Sequence, residues 1–208
     1  MVEFEKPLVD GAIIVENITF ENYMENYAEA FTEWMDGRVI ELSPVSLVHT
    51  LLTKFFVRLL DDYLDITGEG ILLIAPFVMR ISPESPAREP DLHIVSADRV
   101  DIVKDTLTDG AGDIVIEIVS RESTKRDRGE KFDEYEAGGV KEYWLIDPLR
   151  KEALFYRLED NHYQPIPLHE GKFHSRVLSK LHFDVQLLWQ EALPTNKKIR
   201  ELIAEMLV

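Results

Sequence analysis

The sequence contains no cysteine and no long apolar run. Without cysteine the protein forms no disulfide, thiol nucleophile or zinc–thiolate site, a composition that fits a reducing compartment. The longest apolar stretch, residues 71–79, has about half the length that crosses a bilayer, and Pro76 interrupts it. The N-terminal residues carry acidic groups where a signal peptide carries basic ones. We therefore expect a cytoplasmic protein that is not bound to a membrane.

Basic residues are scarce as well: 23 Lys and Arg stand against 39 Asp and Glu, for a net charge of −16. This balance disfavours binding to nucleic acid, because Lys and Arg make most contacts with phosphate. Residues 121–131, however, contain five basic residues against three acidic ones. The segment is either a local positive surface on an acidic body or an ordinary solvated helix face.

The 208 residues, 45% of them hydrophobic, are enough for one compact α/β domain, with a core over about 37–148. Apolar spacing predicts helices over 21–35, 46–65, 123–140 and about 195–206. Short apolar runs predict strands over 38–43, 70–81, 91–99, 113–119 and 142–147, after a strand-forming arm over 1–19. Alternating residues over about 150–190 predict C-terminal β-hairpins. The order of these elements indicates a mixed β-sheet flanked by helices.

Glu117 is a charged residue in the middle of the predicted strand 113–119. Successive side chains of a strand face opposite ways, so the three isoleucines of this strand form the core face and Glu117 lies on the other face. Burial of a carboxylate is costly unless the group is paired or bound to a metal. Glu117 is therefore salt-bridged, at the end of the sheet, or a metal ligand.

Asp91 stands at the start of another predicted strand, 26 residues before Glu117. If the two strands are neighbours, their carboxylates converge. Two carboxylates, waters and a backbone carbonyl, for which Ile118 is the natural candidate, form the oxygen-rich site that Mg²⁺ or Mn²⁺ prefers. The alternative for Asp91 is a turn-capping aspartate.

Lys131 follows Glu117 by 14 residues and lies one helical turn after Asp127. In one interpretation Asp127 and Lys131 form a surface ion pair. In the other, Lys131 points back across the strand ends, where it would orient attacking water and neutralise a phosphorane-like transition state.

Asp91, Glu117 and Lys131 together resemble the PD-(D/E)XK nuclease superfamily in a version with a migrated lysine. In the standard version the lysine stands two residues after the acid, which is Val119 here. The chain is most similar to the Uma-two family, a bacterial branch of restriction-endonuclease-like proteins. The phrases that carry the resemblance are DGRVIELSP, EPD, IEIVSRESTKRDRGEKFDEY and AGGVKEYWLIDP.

The resemblance implies a restriction-endonuclease-like fold, with metal ligation by Asp91 and Glu117 and a catalytic Lys131. It also implies a catalytic role for Glu41, whose alternative is a salt-bridged strand end. The cofactor would be Mg²⁺ or Mn²⁺ and the substrate DNA.

Two further residues enter the site by the same resemblance. Asp127 would orient the lysine. His49 would act as an auxiliary group that hydrogen-bonds a metal-bound water or a phosphate, and its alternative is a structural histidine at a helix end. One departure from the family pattern is the acidic Glu89 before the proline of EPD, preceded by Arg88.

These observations predict that the protein is a metal-dependent DNA endonuclease and that it acts as a homodimer, with the aromatic N-terminal helix as a candidate interface. Two alternatives remain: a catalytically silent nuclease fold that serves as a binding or assembly module, which the net charge favours, and a metallo-phosphodiesterase for small substrates. The C-terminal histidines at 162, 169, 174 and 182 have no metal-ligand spacing and are interpreted as surface or packing residues.

Overall fold

The computed structural model describes residues 12–28, 31–41, 44–121 and 123–208, with only the backbone of Lys125. Its α-helices are α1 (Phe20–Asn26), α2 (Leu47–Thr67), α3 (Thr124–Arg128), α4 (Glu130–Gly138) and α5 (Asn196–Leu207). Its first strands are β1 (Ala12–Val15), β2 (Thr32–Met35), β3 (Arg38–Glu41), β4 (Gly70–Ile74), β5 (Val78–Arg80), β6 (Ala87–Arg88) and β7 (Leu92–Ser96). The later strands are β8 (Leu107–Asp109), β9 (Ile114–Ile118), β10 (Glu142–Asp147), β11 (Glu152–Glu159), β12 (His162–Pro165), β13 (Lys172–His174) and β14 (His182–Asp184).

The described strands form two six-stranded sheets and a two-stranded ribbon. The first sheet has the order β1-β3-β2-β6-β5-β8, the second has the order β12-β11-β10-β9-β7-β4, and the ribbon pairs β13 with β14. Both sheets are mixed, because β5 runs parallel to β8 and β9 runs parallel to β10 while their other neighbours are antiparallel. The predicted α/β class with helices flanking mixed strands is confirmed, with two sheets in place of the expected one.

Both faces of β9 are buried. The isoleucines at 114, 116 and 118 pack in one apolar cluster with the long helix α2, α5 and the C-terminal ribbon. On the opposite face, Val115 and Val119 pack with Tyr135 of α4 and Tyr143 of β10. Glu117 lies on this second face, so its carboxylate is covered by the helical segment α3–α4.

The long helix α2 confirms the helix predicted over 46–65. Ser46 caps its start by accepting a hydrogen bond from the main-chain N–H of His49. Gly68, in the left-handed conformation, ends it by donating to Leu64 O. The cap places His49 in the first helical turn.

The helix predicted over 21–35 is wrong in its second half. Helix α1 ends at Asn26, and residues Thr32–Met35 form β2. Asp36 and Gly37 both have positive φ and connect β2 to β3 by a tight turn. The hydrogen bonds of this hairpin outweigh the helical spacing of the aromatic residues.

Two other predicted elements are divided, and one lies partly outside the described residues. The helix predicted over 123–140 breaks at Gly129, whose φ of −129° and ψ of −93° are not helical. The strand predicted over 70–81 forms β4 and β5, and the one over 91–99 ends at Ser96 before a 3₁₀ turn. The predicted N-terminal arm includes β1, whereas its residues 1–11 are not among those described.

The C-terminal part agrees with the expected hairpins and helix. Strands β11 and β12 form an antiparallel hairpin, β13 pairs with β14, and α5 packs against α2. None of the helices in the described residues is both long and apolar enough to cross a membrane.

Candidate active site

Strand pairing brings Asp91 and Glu117 together. Strands β7 and β9 are antiparallel neighbours, with Leu92 opposite Ile116, and one further step in this register sets Asp91 opposite Glu117. Asp91 Oδ2 accepts a hydrogen bond of 2.7 Å from the N–H of Ile118. The condition that the sequence left open, that the two strands are neighbours, is therefore met.

Glu117 is a buried carboxylate with two hydrogen-bond donors on one oxygen. Its Oε1 accepts from Lys131 Nζ at 2.8 Å and from the Tyr135 hydroxyl at 2.8 Å. Burial raises the pKa of Glu117 to about 7; Lys131 opposes the rise, and the carboxylates of Asp127 and Asp91 add to it. Glu117 thus has a stronger affinity for a proton than an exposed glutamate.

Lys131 points into the protein, so the solvent-exposed ion pair considered from the sequence is not what the structure contains. Its side chain is almost fully buried, and its Nζ lies 3.1 Å from Glu33 Oε1 and 3.8 Å from Asp127 Oδ1, besides its contact with Glu117. Although burial alone would lower the pKa of Lys131, these three carboxylates raise it above the ordinary value. The ammonium group is therefore charged at neutral pH.

Glu33 is a member of the cluster that the sequence reasoning missed. It is fully buried in β2, and its Oε2 lies 2.9 Å from Arg88 Nη1. Burial would raise the pKa of Glu33, but the cations of Lys131, Arg88 and Arg126 hold it well below the ordinary range. The Asp-Gly pair after Met35 was the available signal, because it marks a hairpin and hence a strand at Glu33.

Arg88 connects the first sheet to α4. Its Nε and Nη2 donate to the two carboxylate oxygens of Glu134 at 2.8 and 2.7 Å, while its Nη1 donates to Glu33. Such a two-point pair has a defined geometry as well as charge. Arg88, which precedes the departure from the family pattern at Glu89, is therefore a buried structural arginine that fixes Glu33 beside the lysine.

His49 contacts the site through Asp91. Its Nε2 lies 3.0 Å from Asp91 Oδ2, and its side chain is buried at the start of α2. Burial alone would lower the pKa of His49, but the hydrogen bond to Asp91 and the charges of Asp91, Glu117 and Asp127 raise it. The histidine is both a packed helix residue and a partner of the predicted ligand.

Glu41 is not brought into this cluster. Its side chain is exposed at the end of β3, and it pairs in register with Thr32, the residue before Glu33. Since neighbouring residues of a strand face opposite ways, Glu41 and Glu33 point to opposite sides of the sheet. The acidic residue that β2 and β3 contribute to the lysine is Glu33, not Glu41.

Asp127 lies inside the cluster. It is almost fully buried, and its Oδ1 accepts no hydrogen bond from a described side chain, although Lys131 Nζ is 3.8 Å away. Burial raises the pKa of Asp127, with Lys131 acting against the rise. The i, i+4 spacing predicted from the sequence is kept across the break at Gly129.

The donor set suits a hard divalent cation. Asp91 and Glu117 each use one carboxylate oxygen in the hydrogen bonds above, and the second oxygen of each accepts none from the described residues. No group of three or more histidine, aspartate or glutamate side chains in the described part of the chain is arranged as a metal shell. Mg²⁺ commonly binds through one or two carboxylates and keeps several waters, so two carboxylates with the Ile118 carbonyl fit it.

Comparisons with known proteins place the chain in a family. Residues 20–187 match the family model Uma2, described as "Putative restriction endonuclease". No curated protein matches. A solved structure, a "putative nuclease belonging to DUF820" from Anabaena variabilis, is similar with a TM-score of 0.67 and 16% sequence identity over 83% of this chain and 97% of that one. At that identity the likeness shows the fold, while the family match covers most of the sequence: the chain belongs to the Uma2 family.

Proposed function

We propose that the protein is a Mg²⁺- or Mn²⁺-dependent DNA endonuclease with Asp91, Glu117 and Lys131 as its central residues. The observation that carries the proposal is the convergence of a charged lysine from α4 with two carboxylates from adjacent strands. The description of the Uma2 family as a restriction endonuclease agrees with this chemistry.

Asp91, Glu117 and the Ile118 carbonyl would hold the cation. Bound there, the cation would supply Lewis acidity to the scissile phosphate and lower the pKa of attacking water. Asp91 is fixed for this role from two sides, by the Ile118 N–H and by His49. These contacts orient the carboxylate before any ligand arrives.

Lys131 acts as a cation rather than as a general base, because its surroundings keep it protonated. In the absence of substrate it donates a hydrogen bond to Glu117. With a phosphodiester in the site it would donate to the phosphate oxygen on which negative charge develops. Glu33 and Asp127 hold its amino group in place during this exchange of partners. We assign them positioning roles.

The net charge of −16 limits contacts with DNA to a local region around the site. Arg121 is exposed in the loop between β9 and α3, whereas the side chain of Arg126 is largely buried beside Glu33. A small number of phosphate contacts predicts a weak dependence of binding on salt, compared with strongly basic DNA-binding proteins.

Cleavage of supercoiled plasmid DNA tests the proposal. Purified protein with Mg²⁺ or Mn²⁺ is expected to nick the plasmid, and Asp91→Asn, Glu117→Gln and Lys131→Met are expected to lose this activity. Glu41→Gln is the matched control, because its exposed carboxylate lies outside the cluster, and it should cut like the wild type. Full activity in all three site variants would overturn the assignment.

A catalytically silent binding or assembly module is the second candidate, favoured by the acidic surface and by Lys131 already being paired with Glu117. It predicts no cleavage and no cation binding that depends on Asp91 and Glu117. Turnover of a chromogenic phosphodiester by a protein that does not bind DNA would instead favour a small-substrate phosphodiesterase.

The homodimer also remains a prediction, but not through the aromatic side of α1. Tyr23 is fully buried, and Phe20 and Tyr27 pack with it against Trp34 and Val39. The apolar surface expected on α1 is therefore used inside the protein.

A further inference from the structure

Three histidines that are scattered in the sequence meet on one face of the β13–β14 ribbon. The ring centroids of His174 and His182 are 4.9 Å apart with an angle of 13° between the rings, and the His169 ring lies 6.0 Å from that of His174. The interpretation of these histidines from the sequence as surface or packing residues is therefore incomplete. Hairpin pairing, not sequence spacing, brings them together.

The pairing of the ribbon explains the close approach of two of the rings. His174 and His182 are opposite each other in the antiparallel register. The hydrogen bonds from Ser175 N to Leu181 O and from Val185 N to Gly171 O belong to the flanking pairs of the ladder. His174 and His182 therefore form a non-hydrogen-bonded pair, the kind in which opposite side chains are closest.

A tight turn adds the third ring. His169 and Lys172 exchange main-chain hydrogen bonds of 2.9 Å, and the two residues between them, Glu170 and Gly171, both have positive φ. This is the geometry of a two-residue hairpin turn, which keeps His169 and Lys172 on the same side. Because His174 is two residues beyond Lys172, its ring lies on that side too.

The hydrogen bond of His182 fixes which of its nitrogens is free. His182 Nδ1 lies 3.0 Å from the main-chain oxygen of Lys180. A carbonyl oxygen only accepts, so Nδ1 carries the proton and the lone pair of neutral His182 is on Nε2. Histidines that bind metals commonly donate their other N–H to a carbonyl in this way.

The surroundings of His174 favour its neutral imidazole, which is the form that binds metals. Partial burial lowers the pKa of His174, and the neighbouring His182, His169, Lys172 and Arg176 lower it further. Phe173 and Phe183 fill the opposite, buried face of the ribbon, so the histidine face is the side available to a ligand.

We propose that His174 and His182, with His169 as a third donor, bind a borderline divalent transition-metal ion such as Zn²⁺ on the β13–β14 ribbon. Imidazole nitrogen suits Zn²⁺ and Ni²⁺, whereas Mg²⁺ prefers oxygen. As they stand, the three rings are not arranged as a metal shell. They would therefore turn about their side-chain bonds to direct nitrogens at the ion, and water would complete its coordination. The site is separate from the carboxylate and lysine cluster and does not depend on the proposed nuclease function.

Calorimetric titration of ZnCl₂ into the full chain, with excess Mg²⁺ present to occupy oxygen sites, tests this proposal. Loss of a residue that merely supports a ligand weakens metal binding by roughly 10- to 100-fold. His174→Ala and His182→Ala are therefore each expected to weaken Zn²⁺ binding by at least about tenfold. The matched control is His162→Ala, a strongly exposed histidine on β12, which should bind Zn²⁺ like the wild type.

A second readout separates loss of the ligand from loss of folding. Zn²⁺ should raise the thermal unfolding temperature of the wild type and of Asp91→Asn/Glu117→Gln, but not that of His174→Gln/His182→Gln. Absence of Zn²⁺ binding by the wild type, equal binding by the double histidine variant, or loss of Zn²⁺ binding in Asp91→Asn/Glu117→Gln would each overturn the proposal.

Discussion

The ammonium nitrogen of Lys131 lies 2.8 Å from Oε1 of Glu117, although 14 residues separate the two in the sequence. Both side chains are almost fully buried. A lysine in this position cannot be exchanged for an apolar residue without consequence, because it faces three carboxylates at once. The contact connects the stability of the protein to the chemistry that we propose for it.

Lys131→Met is expected to lower the free energy of unfolding by about 3–5 kcal/mol, since it leaves buried carboxylates without their cation. Urea denaturation measures this loss. Lys198→Met is the matched control: Lys198 forms a surface pair with Glu201, and its replacement should change stability by no more than about 0.5 kcal/mol. Equal stability of the two variants would contradict the buried ion cluster.

Glu33→Gln should destabilise the protein at neutral pH by about 3 kcal/mol or more, because Arg88 and Lys131 lose a buried partner. The pKa of Glu33 is lowered in the folded state from 4.5. Its contribution is therefore present above pH 4.5 and is lost as the pH falls further. The difference in free energy of unfolding between Glu33→Gln and the wild type should therefore become smaller in acid. Glu41→Gln, at an exposed position, should have the stability of the wild type at every pH. A pH-independent difference in denaturation curves would contradict this explanation.

For Glu89 we expect the opposite dependence of stability on pH. Burial, together with the nearby Glu33, raises the pKa of Glu89 to about 8 from 4.5. The protonated form thus stabilises the fold below pH 4.5, and this contribution is lost as the pH rises through 8. The free energy of unfolding of Glu89→Gln, measured relative to that of the wild type, should therefore increase by more than about 1 kcal/mol between pH 5 and pH 9, since one pKa unit corresponds to about 1.4 kcal/mol. Thermal unfolding across this pH range measures the change, with Glu84→Gln, at an exposed position, as the control. A stability difference between Glu89→Gln and the wild type that stays constant with pH would contradict the prediction.

His49→Ala should weaken Mn²⁺ binding by roughly 10- to 100-fold, because His49 orients the predicted ligand Asp91. Thr53→Ala serves as the comparison, since the Thr53 hydroxyl donates to the main-chain oxygen of His49 at 3.0 Å and lies 3.4 Å from Nδ1, not from the Nε2 that contacts Asp91. Titration calorimetry on both folded variants gives the two affinities. An affinity for Mn²⁺ that is unchanged in His49→Ala would make the histidine a packing residue only.

The residues that are predictable from the sequence belong to locally determined elements. Ser46 and Gly68 mark the two ends of α2. The apolar residues around Glu117 indicate a buried strand, so a charged residue within that strand stood out as a candidate site residue. Whether the strands next to Asp91 and Glu117 pair was left open by the sequence, and the fold pairs them.

The residues that were missed depend on strand pairing and backbone geometry, which helical spacing and ligand-spacing rules do not describe. Glu33 was assigned to a helix because its aromatic neighbours have helical spacing, and only pairing with β3 and β6 makes it a buried strand residue. His174 and His182 meet through hairpin pairing, which no spacing rule for metal ligands describes. The break at Gly129 is likewise a matter of backbone geometry that a continuous helical pattern does not reveal.

The most direct test of the account is a calorimetric titration of Mn²⁺ into the wild type, Asp91→Asn, Glu117→Gln and Glu41→Gln. We predict that the wild type and Glu41→Gln bind Mn²⁺ at the same site with equal affinity, and that each of the other two variants loses this binding while remaining folded. Binding of Mn²⁺ to Asp91→Asn and Glu117→Gln with the affinity of the wild type would contradict the account.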